Sequence, residues 1–262
     1  KRRSFLALLF AAGDARRYAS KKERIMKFNK FKVIALCAGM LLSFTYGVVT
    51  VQYKIFPFEQ LRAIKQIASS SPTPTYSDYF YHKKSFFEQH GGHKYDVVFI
   101  GDSITDGAEW EDLFPSLEIA NRGIGGDRTD GVLKRLDSLY STSAGRAFIM
   151  IGINDFNSGM SVDKVFENYR SIVNKLSEHG MKIYIQSTIL AGKRLENLNI
   201  KIVELNKRLE LFAAQNDSIT YIDLNAGLSQ DSLLNPMYSR DDVHLNGKGY
   251  AVWKGIISPY VQ

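Results

Sequence analysis

Past residue 94 the sequence alternates short, nearly uninterrupted apolar runs with longer segments whose apolar residues recur every three or four positions. No other feature limits the fold as tightly. The short runs are Asp96–Gly101, Leu117–Asn121, Arg146–Gly152, Met181–Ser187 and Ile219–Asp223, and several are apolar at consecutive positions. Consecutive apolar residues suit parallel strands covered on both faces, where neither side of the pleat meets water. Between the runs, Val162, Val165, Tyr169, Ile172 and Leu176 mark one helical face, and Leu195, Leu198, Ile202, Leu205, Leu209 and Phe212 mark another. These stripes last too few heptads for a coiled coil. Strand and helix in alternation, five times over, predict a three-layer α/β/α sandwich around a mostly parallel five-stranded sheet. Such sheets bind ligands beyond the carboxyl ends of their strands, so the residues leaving each strand are where chemistry is to be sought.

Upstream, Val33 to Val51 is a run of 19 residues without a charge, preceded by Lys27, Lys30 and Lys32. A helix of that length covers roughly 28 Å at about 1.5 Å per residue, close to the roughly 30 Å of bilayer hydrocarbon. Residues 33–51 are therefore expected to be a single membrane-spanning signal anchor. The basic cluster marks the cytoplasmic side and sends everything after Val51 outside the inner face. No small-x-small cleavage site follows a short apolar region, and Leu36 before Cys37 argues against a lipid-modified cysteine. Met26 with the basic residues after it resembles a natural start, which leaves residues 1–25 open as non-native upstream sequence. Residues 52–75 are expected to form a juxtamembrane helix from Phe58 to Ala68 and a Ser/Pro/Thr tether, and residues 76–262 the catalytic domain. An amphipathic stretch from Tyr76 to His90, with Tyr79, Phe80, Lys83, Phe86 and Phe87, is expected to pack on that domain.

The charge distribution matches this division. The chain has 34 Lys and Arg against 27 Asp and Glu, a net charge of +7, but residues 1–32 alone carry +9 and the other 230 residues carry −2. A phosphate-tracking groove would need its excess within the folded part, so a nucleic-acid-binding domain is excluded there. The single Cys37 allows no intrachain disulfide and has no ligand-spaced neighbours for structural zinc.

Four strand ends carry polar or glycine-rich sequence. The first gives Gly101-Asp102-Ser103-Ile104, with Ser103 on the turn into an expected helix. The second gives Asn121-Arg-Gly-Ile-Gly-Gly-Asp127, which lacks both the Lys-Ser/Thr ending of a P-loop and the spacing of a dinucleotide fingerprint. The third gives Gly152-Ile-Asn154-Asp155. Near the carboxyl terminus, Asp241-Asp-Val-His244 precedes Asn246, the expected cap of the last helix. Of the five histidines only His244 has a carboxylate three residues before it in such a setting. Together these groups meet the needs of acyl transfer. A serine hydroxyl is a weak nucleophile until an imidazole takes its proton, and a carboxylate fixes the tautomer and stabilises the imidazolium. Candidate catalytic residues are Ser103, Asp241 and His244, and candidate oxyanion donors are the amides of Ser103 and Gly126 and the side chain of Asn154. Trp110, Arg122, Arg128, Lys193 and Arg194 are candidates for a polar substrate rim.

In this combination the chain resembles the SGNH (GDSL) hydrolase family, named for Ser, Gly, Asn and His in four blocks. These stand here as Ser103 in GDSI, Gly126 in NRGIGGD, Asn154 in GIND and His244, with Asp241, in DDVH. The resemblance covers residues 76–262 and is similar in spacing to the compact branch of platelet-activating-factor acetylhydrolase catalytic subunits and bacterial lysophospholipase-like esterases. It implies a five-stranded parallel sheet in flavodoxin-like order, Asp241 rather than Asp242 as the orienting carboxylate, and catalysis without metal or organic cofactor. Arg128 departs from the family, where Thr often comes after Gly-Gly-Asp.

The expected activity is hydrolysis of small acyl esters, foremost O-acetyl groups on carbohydrate, because short connections leave little sequence for a lid or a long-acyl channel. A lysophospholipase or thioesterase, a glycan O-acyltransferase using the same acyl-enzyme, and a non-catalytic binding module are the alternatives. The last would be expected to have lost a motif residue. His244 must be neutral to accept a proton, so activity is expected to fall in acid. No oligomeric state is implied.

Overall fold

The computed structural model describes residues 32, 36–54, 56–58 and 76–261. The chain divides between Pro74 and Thr75 into two compact units. In the first, the helix Leu36–Tyr53 has 18 residues, a mean hydropathy of 1.3 and 6% of its length buried, so it is long and apolar enough to cross a bilayer. The expected basic segment, apart from Lys32, and the juxtamembrane helix and tether, apart from Phe58, lie outside the described residues.

The second unit begins with helix α1 (Asp78–Gln89), capped by Ser77, whose hydroxyl accepts from the Phe80 amide at 3.2 Å. Phe80 and Phe87 are buried with Tyr76 and Ile124 in a small cluster of their own, while Tyr79 and Phe86 stay exposed. The alternating part comes next as β1 (Val97–Gly101), α2 (Ser103–Asp106), α3 (Trp110–Leu113), β2 (Ile119–Gly123), α4 (Thr129–Leu133), α5 (Leu136–Tyr140), β3 (Arg146–Met150) and α6 (Ile153–Asn157). It continues as α7 (Val162–Glu178), β4 (Lys182–Gln186), a 3-10 segment (Lys193–Leu198), α8 (Asn199–Ala214), β5 (Ile219–Ile222), α9 (Asn225–Leu228), a two-residue-per-strand hairpin of β6 (Ser229–Gln230) and β7 (Leu233–Leu234), and α10 (Gly247–Val261).

The five long strands pair in parallel in the order β2-β1-β3-β4-β5. The chain reverses direction across the sheet between β1 and β3, which opens a crevice at their carboxyl ends. Strand alternation assigns the two faces. Val98, Ile100, Ala147, Ile149, Ile183 and Ile185 point to α5, α7 and α8, with Tyr169, Ile172, Leu176, Ile202, Leu205 and Leu209 packed on them. Val97, Phe99, Ile119, Phe148, Met150 and Tyr184 point the other way, to Ile104, Trp110, Trp253 and Ile257. Both faces are dry, which is why the strands read as continuous apolar runs.

Two local expectations shift. The second strand runs Ile119–Gly123 rather than ending at Asn121, so Asn121 to Gly123 are strand and not loop. The Asn121 side chain explains this: its amide donates to the carbonyls of Asp106 and Ala108, and its oxygen accepts from the Gly123 amide at 2.9 Å, tying the extension to the turn after β1. The stripe from Leu195 to Phe212 is not one helix, since Leu195 has φ −122 and ψ 21 and the 3-10 segment ends before α8 begins.

Candidate active site

Ser103 leaves β1 as the first residue of α2. The preceding Asp102 caps the turn, its Oδ1 accepting from the Ile104 amide at 3.0 Å. Helix α2 is a single turn of four residues, so positioning comes from the turn itself more than from a helix dipole. The Ser103 hydroxyl lies 2.8 Å from His244 Nε2. His244 arrives from the other end of the chain, just before α10, whose first turn is capped by Asn246 Oδ1 accepting from Lys248 and Gly249.

On the far side of the ring, His244 Nδ1 lies 2.6 Å from Asp241 Oδ2. Asp241 Oδ1 accepts from the amides of His244 at 2.8 Å and Val243 at 3.1 Å and from the Ser239 hydroxyl at 3.3 Å. Burial works to raise the Asp241 carboxyl, but hydrogen bonds from the His244 ring and from the His244 and Val243 amides outweigh it and hold the group well below the usual carboxylate range. With the Nδ1 proton directed at this carboxylate, Nε2 is left to accept from Ser103. Asp242 has no part in that contact: its Oδ2 accepts from the Arg194 amide at 3.0 Å.

Gly126 sits at φ 76 in a turn closed by the Asp127 amide donating to the Ile124 carbonyl at 3.0 Å, a backbone that favours glycine. Asn154 opens α6 beyond β3, and its Nδ2 donates to the Asp127 carbonyl at 3.0 Å. That bond uses one of two amide protons, fixes the plane of the group and leaves the second proton for another acceptor. Ser103, Gly126, Asn154 and His244 line one cleft of about 350 Å³, whose other walls are Ile153, Asn157, Leu195, Leu198 and Val243. The cleft brings together a hydroxyl paired to an imidazole, a carboxylate on the imidazole, the Gly126 turn, the Asn154 side-chain amide and an apolar wall. That set can attack, proton-shuttle and stabilise charge at an acyl carbon. Among the described residues no three His, Cys, Asp or Glu side chains gather as a metal site requires.

Of the five rim candidates none lines this cleft. Trp110 is buried, its ring stacked 3.7 Å from Phe99 and its Nε1 donating to the Thr105 carbonyl. Arg122 is 6% exposed, its guanidinium 4.6 Å over the Phe87 ring and 5.3 Å over Tyr95. Arg128 lies 4.6 Å over the Tyr76 ring and donates to Asp130 at 3.1 Å. Both arginines are spent on aromatic faces beside α1. Lys193 pairs with Glu196 at 2.7 Å, and Arg194 donates to the Asp241 carbonyl.

Behind the site lie buried ionisable groups that the sequence pattern did not single out. Asp127 pairs with Arg135 at 2.9 Å, both side chains fully buried, and Arg135 also donates to the Gly101 carbonyl at 3.3 Å. This joins the Gly126 loop to the end of β1. Asp155 accepts from the Thr129 hydroxyl at 2.6 Å and from its amide, and burial pushes its carboxyl up to about 7. Burial likewise pushes Asp102 up to about 7, against the Ile104 hydrogen bond and with help from Asp127 and Asp155. Asn157 was not singled out from the sequence; its place three residues after Asn154, on the same helical face, is the signal that could have found it. Leu195 and Leu198 were legible only as core.

Comparison with known proteins adds sequence and fold relatives. Residues 99–252, more than half of the chain, match the GDSL-like lipase/acylhydrolase family. A stretch of 147 residues is 29% identical to an N-acylneuraminate cytidylyltransferase of Streptococcus agalactiae, covering 56% of this chain but 34% of that protein, so the chain spans about a third of that relative's length. A stretch of 163 residues is 26% identical to the platelet-activating factor acetylhydrolase IB subunit alpha2 of Homo sapiens, covering 60% of this chain and 71% of that one. A GDSL-like lipase from Bacteroides thetaiotaomicron shares the fold, with a TM-score of 0.61 at 24% identity over 70% of this chain and 96% of that one.

Proposed function

This chain belongs to the GDSL-like lipase/acylhydrolase family, and we propose that it is a carboxylic ester hydrolase, a membrane-anchored serine esterase that removes small acyl groups, foremost O-acetyl groups on carbohydrate. The observation that carries the reading is the 2.8 Å approach of Ser103 Oγ to His244 Nε2 at the mouth of the cleft. Ser103 Oγ attacks the ester carbonyl carbon as Nε2 takes its proton, and Asp241 stabilises the imidazolium that results. Charge developing on the carbonyl oxygen is met by the amides of Ser103 and Gly126 and by the free Nδ2 proton of Asn154. His244 returns the proton to the departing alcohol, and the same steps with water release the acid and restore Ser103.

A small acyl group suits the cleft, an open one of about 350 Å³. One relative adds weight by name, a platelet-activating factor acetylhydrolase subunit. Leu36–Tyr53 serves as the anchor, with Lys27, Lys30 and Lys32 cytoplasmic and the catalytic unit beyond the inner face. The unit is then periplasmic or extracellular, and protease added to spheroplasts, whose inner membrane alone is intact, should release it; full protection until lysis refutes this topology.

A lysophospholipase or thioesterase reading draws on the four apolar walls, Ile153, Leu195, Leu198 and Val243. A series of esters of increasing acyl length separates the two. Acetyl and propionyl esters should turn over fastest, and a clear preference for long chains defeats the acetyl reading. Ser103→Ala should abolish turnover with an unchanged circular dichroism spectrum, and a folded variant with full activity defeats the triad.

A further inference from the structure

The loop that carries Asp241 and His244 is held from one side by the stretch that begins the cleft wall. Asp242 occupies φ 69, a left-handed backbone that residues with a side chain adopt rarely and that asparagine and aspartate tolerate best. Its carbonyl accepts from the Gly192 amide at 2.8 Å and its Oδ2 from the Arg194 amide at 3.0 Å. The Arg194 guanidinium donates to the neighbouring Asp241 carbonyl. Gly192 lets the two segments close, since a Cβ there would lie 2.3 Å from Asp242 Oδ1. Immediately after these donors come Leu195 and Leu198, which face the cleft.

Asp242 stands at the corner where the chain turns back so that the Val243 and His244 amides reach Asp241 Oδ1. A relaxed, right-handed backbone at that corner would carry His244 away from the carboxylate. From this geometry we infer that Asp242 is a positioning residue for His244: its left-handed corner, held by Gly192 and Arg194, sets the imidazole between Asp241 and Ser103 and fixes it to the Leu195 wall of the cleft. The inference rests on the triad reading under the proposed function. It assigns a separate task to each of the adjacent aspartates, since Asp241 meets the ring and Asp242 holds the turn that makes the meeting possible.

The test is a substitution series in the full chain, with kcat and KM for an acetyl ester and a thermal melt for each variant. Asn keeps both the left-handed tolerance and an acceptor for Arg194, Gly keeps only the first, and Ala keeps neither. Asp242→Asn should stay within about threefold of the parent kcat, Asp242→Gly should fall between, and Asp242→Ala should lose at least tenfold with KM little changed, in line with the steep cost of misplaced catalytic groups. Gly192→Ala should copy Asp242→Ala by forcing the segments apart. Parent-like kcat in Asp242→Ala, or an Asn variant as impaired as the Ala variant, overturns the inference. Ser103→Ala assayed alongside separates the two levels. If it remains active, the triad reading has failed; if it is dead while Asp242→Ala is fully active, only the positioning role has.

Discussion

Replacing Arg135 by methionine tests the brace behind the site. Methionine fills the space of the arginine stem but removes the guanidinium, which leaves the Asp127 carboxylate buried without its charged partner, while the Gly101 carbonyl keeps the Ile124 amide as a donor at 3.1 Å. Breaking a fully buried pair from one side costs about 3–5 kcal/mol, because the remaining charge keeps its desolvation penalty and loses its compensation. Asp127 can escape part of that cost by taking a proton. Burial already pushes its carboxyl up, with Arg135 and the Arg128 amide pulling against the shift, and the variant loses the first of these opponents. A carboxyl raised in the folded state holds a proton that the unfolded chain has released, so the stability loss grows as pH rises from about 4 toward the folded pKa. At about 1.36 kcal/mol per pH unit from the usual value near 3.9, neutralising Asp127 costs about 1.5 kcal/mol at pH 5. By pH 8 the loss should reach the full 3–5 kcal/mol. Urea unfolding of the detergent-solubilised chain, monitored through the buried Trp110 and Trp253, reads the unit concerned. A loss below about 1 kcal/mol at pH 8, or one equal at pH 5 and pH 8, refutes the reasoning. Arg135→Met combined with Asp127→Asn should recover at least half of the loss at pH 8, since no unpaired charge then remains.

Single contacts set the other expectations. Asn154→Ala should lower kcat by about 10²–10³ through loss of an oxyanion donor, read with an acetyl ester, whereas a loss under threefold would exclude Asn154 from that role. Trp110→Ala should destabilise by about 3–5 kcal/mol in urea, with KM unchanged in the folded enzyme, because the ring packs in the core and not at the substrate. Asp102 is pushed up to about 7, so its protonated form favours the folded chain below about pH 4 and that advantage is lost as pH rises to about 7. Asp102→Asn should therefore gain stability relative to the parent across that window, and a pH-independent difference would show that the carboxyl is ionised throughout.

The layered fold was legible because it is written in periodicity. Continuous runs such as Val97 to Ile100 belong where both strand faces are dry, and the stripe from Val165 to Leu176 belongs on a helix against them. Ser103, Gly126 and Asn154 were legible as residues following strands, a property of parallel sheets in general, Asp241 and His244 from their spacing ahead of the last helix, and the apolar run ahead of Tyr53 as a matter of length and charge. The boundary of β2 was not legible, since it depends on the Asn121 side chain finding the carbonyls of Asp106 and Ala108. Nor was the break at Leu195, whose apolar side chain fits a helical stripe but faces the cleft.

Charge and aromatic residues near the site were the least readable. Sequence marks Trp110, Arg122 and Arg128 as large or polar groups beside a motif, but whether such a side chain faces substrate or interior is decided by what arrives from elsewhere in the chain. Trp110 meets Phe99 and Trp253, Arg122 meets Phe87, and Arg128 meets Tyr76. The sequence alone determined the parallel α/β architecture, the helix long enough to span a bilayer and the residues at the ends of strands, because local pattern and composition encode burial. Only the tertiary structure decided that Asp127 has Arg135 as its partner, that the rim arginines pack on Tyr76 and Phe87, and that Asp242 turns to the Arg194 amide. Those outcomes depend on contacts between segments many residues apart, and no local pattern records which segment will be there.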